Sequence, residues 1–321
     1  MKILNLNKKF DYLIISTTTI TLIYLIYYKQ HNFINDKNNF IINYKNNEIK
    51  INKLNDKELD EKLRLKEFIQ SVCRNKSVIK QIHFNQLNSN DPVEDNYSQL
   101  ILQKNFNKHL NRNNDLYFFC LFDGHSGYHT SNLLSKTLIP STTLHLTNLF
   151  NNIPPNTFNN KFNYIKHLLN SPFNSQQLDL NPQNVIQAIK NSFVALDNSL
   201  LQAPVKALSS LPKTISPPTT PDQSLLNVLS GSCALMAYFD ESNQDLYVAV
   251  TGDSRAIAGY YDNGKWVVDV LTNDQTGKNP NEINRIKSLH PLPESPYVIQ
   301  RGRILGGLEV SILNKYSLHF N

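Results

Sequence analysis

Asp123, Gly124 and His125 stand side by side at the end of the apolar run "DLYFFCLF". A carboxylate just past a hydrophobic strand is held rigidly at the sheet end, where oxygen ligands can bind a hard cation. Gly124 lets its own carbonyl approach such an ion with no Cβ in the way. His125 then lies beside whatever the ion holds, able to act as acid or base near neutral pH. Alone, the triplet is a weak signal, because Asp-Gly is a common turn pair.

Two further groups could join it. "NDPVED" ends in the acidic pair Glu94 and Asp95, whose charges repel in one cleft unless cations sit between them; such pairs are usually just solvated. "VAVTGDSRAIAG" places Gly252, Asp253, Ser254 and Arg255 in a tight turn between apolar strands. An Asp there more often caps backbone amides than binds an ion.

The elements that must position these residues follow from hydrophobic period. "SQLILQ" and "DLYFFCLF" predict strands, and "GYHTSNLLSKTLIP" predicts a helix ended by Pro140. A longer helix is expected at "NPQNVIQAIKNSFVALDNSLLQA", with Ile186, Ile189, Phe193, Leu196 and Leu200 on one face. The Pro/Ser/Thr-rich segment 203–224 reads as a surface insertion. Beyond it, "SGSCALMAYFD", "DLYVAVTGDSRAIAGYY" and "KWVVDVLT" predict strands joined by hairpin turns, and "NPNEINRIKSLHP" a short helix. Strands on either side of a helical section make the class α+β, with largely antiparallel sheets.

With 321 residues, the chain can build a core without staples. Lys and Arg exceed Asp and Glu, 32 against 26, but the basic residues are scattered, which argues against nucleic acid as the main partner. Cys73, Cys120 and Cys233 form no CxxC, so free thiols in a reducing compartment are expected. Near the N-terminus, uncharged "YLIISTTTITLIYLIYY", Tyr12 to Tyr28, lies between lysines. Residues 1–30 are read as a targeting segment or membrane anchor, with a buried strand as the alternative. Residues 31–65 read as a polar tether, although Leu59, Leu63, Leu65 and Phe68 hint at a short helix.

In this order, "NDPVED", "FDGHSG", "GSCALMAYF", "LYVAVTGDSRAIAG", "LTNDQTGKNPNEINRIKSLHP" and "RILGGLEVS" resemble the successive motifs of the metal-dependent protein phosphatases, type 2C. "FNQLNSNDPVED", the helix ending in "HP" and "LGGLEVS" are similar to the pyruvate dehydrogenase phosphatase branch and its fungal mitochondrial relatives. The resemblance implies an antiparallel β-sandwich flanked by helices over residues 66–321. It also implies hydrolysis of phosphoserine and phosphothreonine on proteins, in a membrane-anchored mitochondrial enzyme whose partner could be the E1 component of pyruvate dehydrogenase. Asp123 matches the carboxylate bridging two Mg²⁺ or Mn²⁺ ions, and Gly124 the residue giving a carbonyl ligand. Glu94 and Asp95 match the pair that binds or orients water on the metals, His125 the general acid, and Asp253 the ligand of a third, weaker ion.

The pattern departs from the family twice. Asn90 lies near the place where many members carry a phosphate-binding arginine. After "LGGLEVS", "ILNKYSLHFN" matches none of the motifs expected to follow, so the domain is expected to be incomplete at the C-terminus. A catalytically incomplete relative acting as a binding module is the alternative reading.

Overall fold

A computed structural model describes residues 2–5, 12–16, 39–44, 47–52, 54–73, 77–88, 90–103, 115–150, 181–210 and 223–310. Lys2–Asn5 form strand β1 and Tyr12–Ser16 form β2. Residues 18–93 make one compact unit, and residues 1–17 with 94–321 make another.

In the first of these, β3 (Asn39–Tyr44) pairs with β4 (Asn47–Asn52), and helix α1 (Asp56–Arg64) follows. Asn55 caps α1 by accepting from the Glu58 N–H at 2.9 Å, while the Glu58 carboxylate accepts from the Asn55 N–H at 2.9 Å. A second hairpin joins β5 (Phe68–Ser71) to β6 (Gln81–Phe84). The expected polar tether over 31–65 therefore carries a hairpin and a capped helix. Its strand signal, Ile49 and Ile51 alternating with Glu48 and Lys50, is diluted by the surrounding asparagines.

In the larger unit, β7 (Asn96–Gln103) and β8 (Asp115–Phe122) pair antiparallel, and β9 is the two-residue strand Gly124–His125. Helices α2 (His129–Phe150), α3 (Pro182–Ser210) and α4 (Gln223–Leu229) follow. The remaining strands are β10 (Gly231–Ser232), β11 (Ala234–Asp240), β12 (Asp245–Thr251), β13 (Arg255–Asp262) and β14 (Lys265–Val270). Helix α5 (Pro280–Ser288) precedes β15 (Ile299–Gln300) and β16 (Arg303–Ile304). The main sheet runs β1-β12-β11-β8-β7 and a second runs β14-β13-β2, with every pairing antiparallel. The fold is α+β, as the hydrophobic period predicts.

Alternation sorts the main sheet into two dry faces. Leu116, Phe118, Cys120 and Phe122 of β8 join Ala234, Met236 and Tyr238 of β11 in a core with α2 and α3. On the opposite face Tyr117, Leu235, Ala237 and Val248 are equally buried. In the second sheet, Ala256, Ala258 and Tyr260 form a buried row.

Three expectations need correction. Pro140 does not end its helix, which continues to Phe150. A proline inside a helix costs about 3 kcal/mol, whereas burying Leu134, Leu138, Ile139 and Leu146 contributes about 1.5–3 kcal/mol each. Burial wins. The insertion was expected from 203, but α3 carries Pro204 within it and runs to Ser210, and residues 211–222 lie outside the described residues. Finally, Tyr12–Ser16, the beginning of the expected membrane segment, is a strand paired with Arg255–Gly259. Its aromatic and β-branched residues suit a sheet. The rest of that expected segment, residues 17–30, lies outside the described residues. Among the described residues no helix is long and apolar enough to cross a membrane.

The "LGGLEVS" segment is pinned by charge. Glu309 accepts from Lys278 Nζ at 2.6 Å and Arg303 Nη2 at 2.8 Å, and its carbonyl accepts from the Gly277 N–H at 3.0 Å. The Lys278 hydrogen bond, joined by the charges of Lys278 and Arg303, holds the Glu309 carboxyl below the ordinary 4.5. A depressed carboxylate adds stability that is complete above its unfolded pKa and lost as pH falls through the folded value. Glu309→Gln should therefore lower the urea midpoint at pH 7 and converge on wild type as pH falls through the folded-state pKa, below 4.5. Parallel midpoint curves across that range would contradict this assignment.

Candidate metal centre

The site forms where β8 leaves the main sheet. Phe122 is fully buried, so the next residue, Asp123, is fixed by the strand before it and is itself only 4% exposed. Its carbonyl accepts from the Cys233 N–H at 2.8 Å, tying the end of β8 to the residue that precedes β11. Immediately beyond, β9 pairs with β10 through Gly124 with Ser232 and His125 with Gly231.

Gly124 is required by space. A Cβ there would stand 2.3 Å from the Glu94 carbonyl oxygen, a backbone atom that cannot swing aside. That carbonyl also accepts from the Ser131 hydroxyl, which in turn accepts from Asn96 Nδ2 at 2.9 Å. The Glu94 carboxylate accepts from the Gly127 N–H at 2.8 Å. Glu94 therefore braces the 124–127 turn with both its main chain and its side chain. Asp95 is half-buried at the start of β7.

The other carboxylate arrives on the turn between β12 and β13. Gly252 there has φ +102°, and its N–H and carbonyl are both held by Gln275, at 2.8 Å to Oε1 and 3.0 Å from the N–H. Asp253 follows, 4% exposed. Arg255 turns away and ion-pairs with Asp274.

Ligand atoms of Asp123, Cys233 and Asp253 all lie within 4.8 Å of one another. Cys233 Sγ donates to Asp253 Oδ1 at 3.5 Å. Burial pushes the Asp253 carboxyl up, and the Cys233 thiol is pushed well above its usual value by burial and then by the charges of Asp123 and Asp253. Two buried carboxylates beside a buried thiol, with burial disfavouring the charged form of Asp253, are a donor set short of positive charge. A divalent cation fits that need, and the two glycines keep the approach of main chain and sulfur free of side chains.

His125 Nδ1 lies 3.2 Å from the Asp123 carbonyl oxygen and 3.6 Å from Asp123 Oδ1. With Nδ1–H donated to that carbonyl, Nε2 is the ring atom left to exchange a proton. The half-buried imidazole is thus held beside the carboxylate by its own backbone neighbour.

The structure therefore brings Asp123 and Asp253 together, with Gly124 and His125 adjoining and Glu94 bracing the loop. Among the described residues, Glu94 and Asp95 are not part of the close ligand group. In the sequence Cys233 stands out only as a free thiol, and Gln275 carries no signal. The pairing of "GSC" with "DGH" through β9 and β10 was the signal for Cys233, and it becomes visible only when the register is known.

The protein phosphatase 2C family profile matches residues 84–311. The mitochondrial pyruvate dehydrogenase (acetyl-transferring)-phosphatase 1 of Saccharomyces cerevisiae is 34% identical over 264 residues, covering 80% of this chain and 41% of its own length. The protein of the same description from Homo sapiens is 30% identical over 271 residues, covering 73% of this chain and 45% of its own. The chain thus spans less than half the length of these relatives. A solved serine-threonine phosphatase 2C from Toxoplasma gondii aligns over 60% of this chain and 54% of its own, with 18% identity and a TM-score of 0.33. On the profile match across most of its length, the chain belongs to the protein phosphatase 2C family.

Proposed function

We propose that this chain is the part of a metal-dependent protein serine/threonine phosphatase that carries Asp123, Asp253 and His125. Its substrate class is phosphoserine and phosphothreonine in proteins, with pyruvate dehydrogenase in mitochondria as the setting suggested by the names of its relatives. The observation that carries this reading is the convergence of two buried carboxylates from separate strand ends, with a histidine beside them.

Asp123 and Asp253 would hold Mg²⁺ or Mn²⁺, with Gly124 offering its carbonyl and Glu94 and Asp95 orienting water at the rim. The ions supply Lewis-acid activation of water and screening of the phosphoryl oxygens. The protein's own residues do the rest. Both aspartates are buried, so charge–charge terms around them stay strong. The Glu94–Gly127 hydrogen bond and the β9–β10 ladder hold His125 in place. From Nε2, His125 can protonate the leaving serine or threonine oxygen as the bond to phosphorus breaks.

The test is Mn²⁺-dependent release of phosphate from a phosphoserine peptide. His125→Ala should lower kcat by about 10²–10⁴-fold, the usual size of general acid catalysis. Peptides with a more acidic leaving group, such as phosphotyrosine, should lose far less, because their oxygen needs little protonation. Binding of phosphopeptide without metal-dependent release would overturn the enzymatic reading in favour of a binding module.

A further inference from the structure

Two carboxylates alone would make a hard, oxygen-only site. Cys233 changes that. It is 0% exposed, and its sulfur belongs to the same 4.8 Å group as the Asp123 and Asp253 oxygens. Oxygen donors suit Mg²⁺, whereas sulfur favours softer divalent ions.

The sulfur is held in place before any ion arrives. The Cys233 N–H is bonded to the Asp123 carbonyl, and the preceding residue, Ser232, is paired with Gly124. On its other side the sulfur lies against bare glycine backbone, since a Cβ on Gly252 would come within 2.3 Å of Sγ. The thiol donates to Asp253 Oδ1 at 3.5 Å, a separation that a cation shared by the two atoms could bridge.

We propose that Cys233 is a third protein donor at the Asp123–Asp253 centre, biasing it towards thiophilic ions such as Co²⁺, Zn²⁺ and Cd²⁺ relative to Mg²⁺. The proposal rests on the metal-dependent reading above. On binding, a sulfur–metal bond forms, the S–H bond breaks and one proton leaves to solvent, with no change of oxidation state. A serine at this position would lose the soft donor.

The experiment is a Co²⁺ titration of the full chain carrying Cys73→Ser, which removes the exposed thiol. A sulfur-to-cobalt charge-transfer band in the near ultraviolet should rise to one equivalent and persist when Cys120 is also replaced by Ala. Adding Cys233→Ser should abolish the band and weaken Co²⁺ binding about tenfold or more, while calorimetric Mg²⁺ affinity stays within about twofold. Visible d–d bands that depend on Asp123 but come with no charge-transfer band would overturn the proposal and leave the metal centre standing. That result needs no substitution at Cys233, so it remains decisive if the serine variant fails to fold. Absence of any Asp123-dependent Co²⁺ uptake would remove the metal-dependent reading itself.

Discussion

Asp123→Asn is expected to reduce Mn²⁺-dependent phosphate release by at least about 10³-fold and to weaken Mn²⁺ binding measurably by calorimetry. A metal contribution of several kcal/mol to the transition state corresponds to a loss of this size. The substitution is close to isosteric, and the hydrogen bond from Cys233 goes to the Asp123 main chain, which any side chain leaves intact. The variant should therefore fold, and its circular dichroism should match wild type. Unchanged Mn²⁺ affinity in a folded variant would show that the ions sit elsewhere.

Gly252→Ala should be the most destabilising single change at the centre, by about 3–5 kcal/mol. One part is conformational, since φ +102° is a region that residues with a Cβ adopt at a cost of about 1–3 kcal/mol. The other is steric. The new carbon would lie 2.3 Å from Cys233 Sγ and 2.6 Å from its Cβ, so Cys233 or the β12–β13 turn must move. Overpacking of this kind costs about 1–3 kcal/mol more. At about 2–4 °C per kcal/mol, as for domains of 150–250 residues, the fall in Tm is about 6–20 °C. Gly264 is the internal control. Its φ is +80° but nothing lies within 4 Å of a built Cβ, so Gly264→Ala should show the conformational part alone. Equal Tm shifts in the two variants would mean that the Cys233 contact has no energetic weight.

Apart from β1, which falls in the expected targeting segment, the strands of the main sheet were legible because burial on one or both faces leaves a plain signature, as in "DLYFFCLF" and "SGSCALMAYFD". Short α5 was legible from Pro280, the first-turn proline that opens it, while its Asn279 cap emerged only with the structure. Pro140 misled because its local cost is visible in sequence while the burial that outweighs it is not. The β3–β4 hairpin was obscured by asparagines of little conformational meaning. At the centre, residue types announced Asp123, Gly124 and His125, and motif order added Glu94, Asp95 and Asp253. Cys233 stayed hidden, because its partners are set by a two-residue ladder that no local pattern encodes. Gln275 was hidden for the same reason, as its bonds to Gly252 cross from one loop to another.

The bracing of the centre also depends on partners remote in sequence, as in the hydroxyl pair Thr130 and Ser230, which meet across 100 residues behind the 124–127 turn. Helices and hairpins can appear early in folding because their contacts are local, whereas such distant closures come late. Affinity for a divalent ion should accordingly be among the last properties the polypeptide acquires. On the proposed function, a refolding chain that has regained its helical circular dichroism but not its topology would not yet take up a divalent ion.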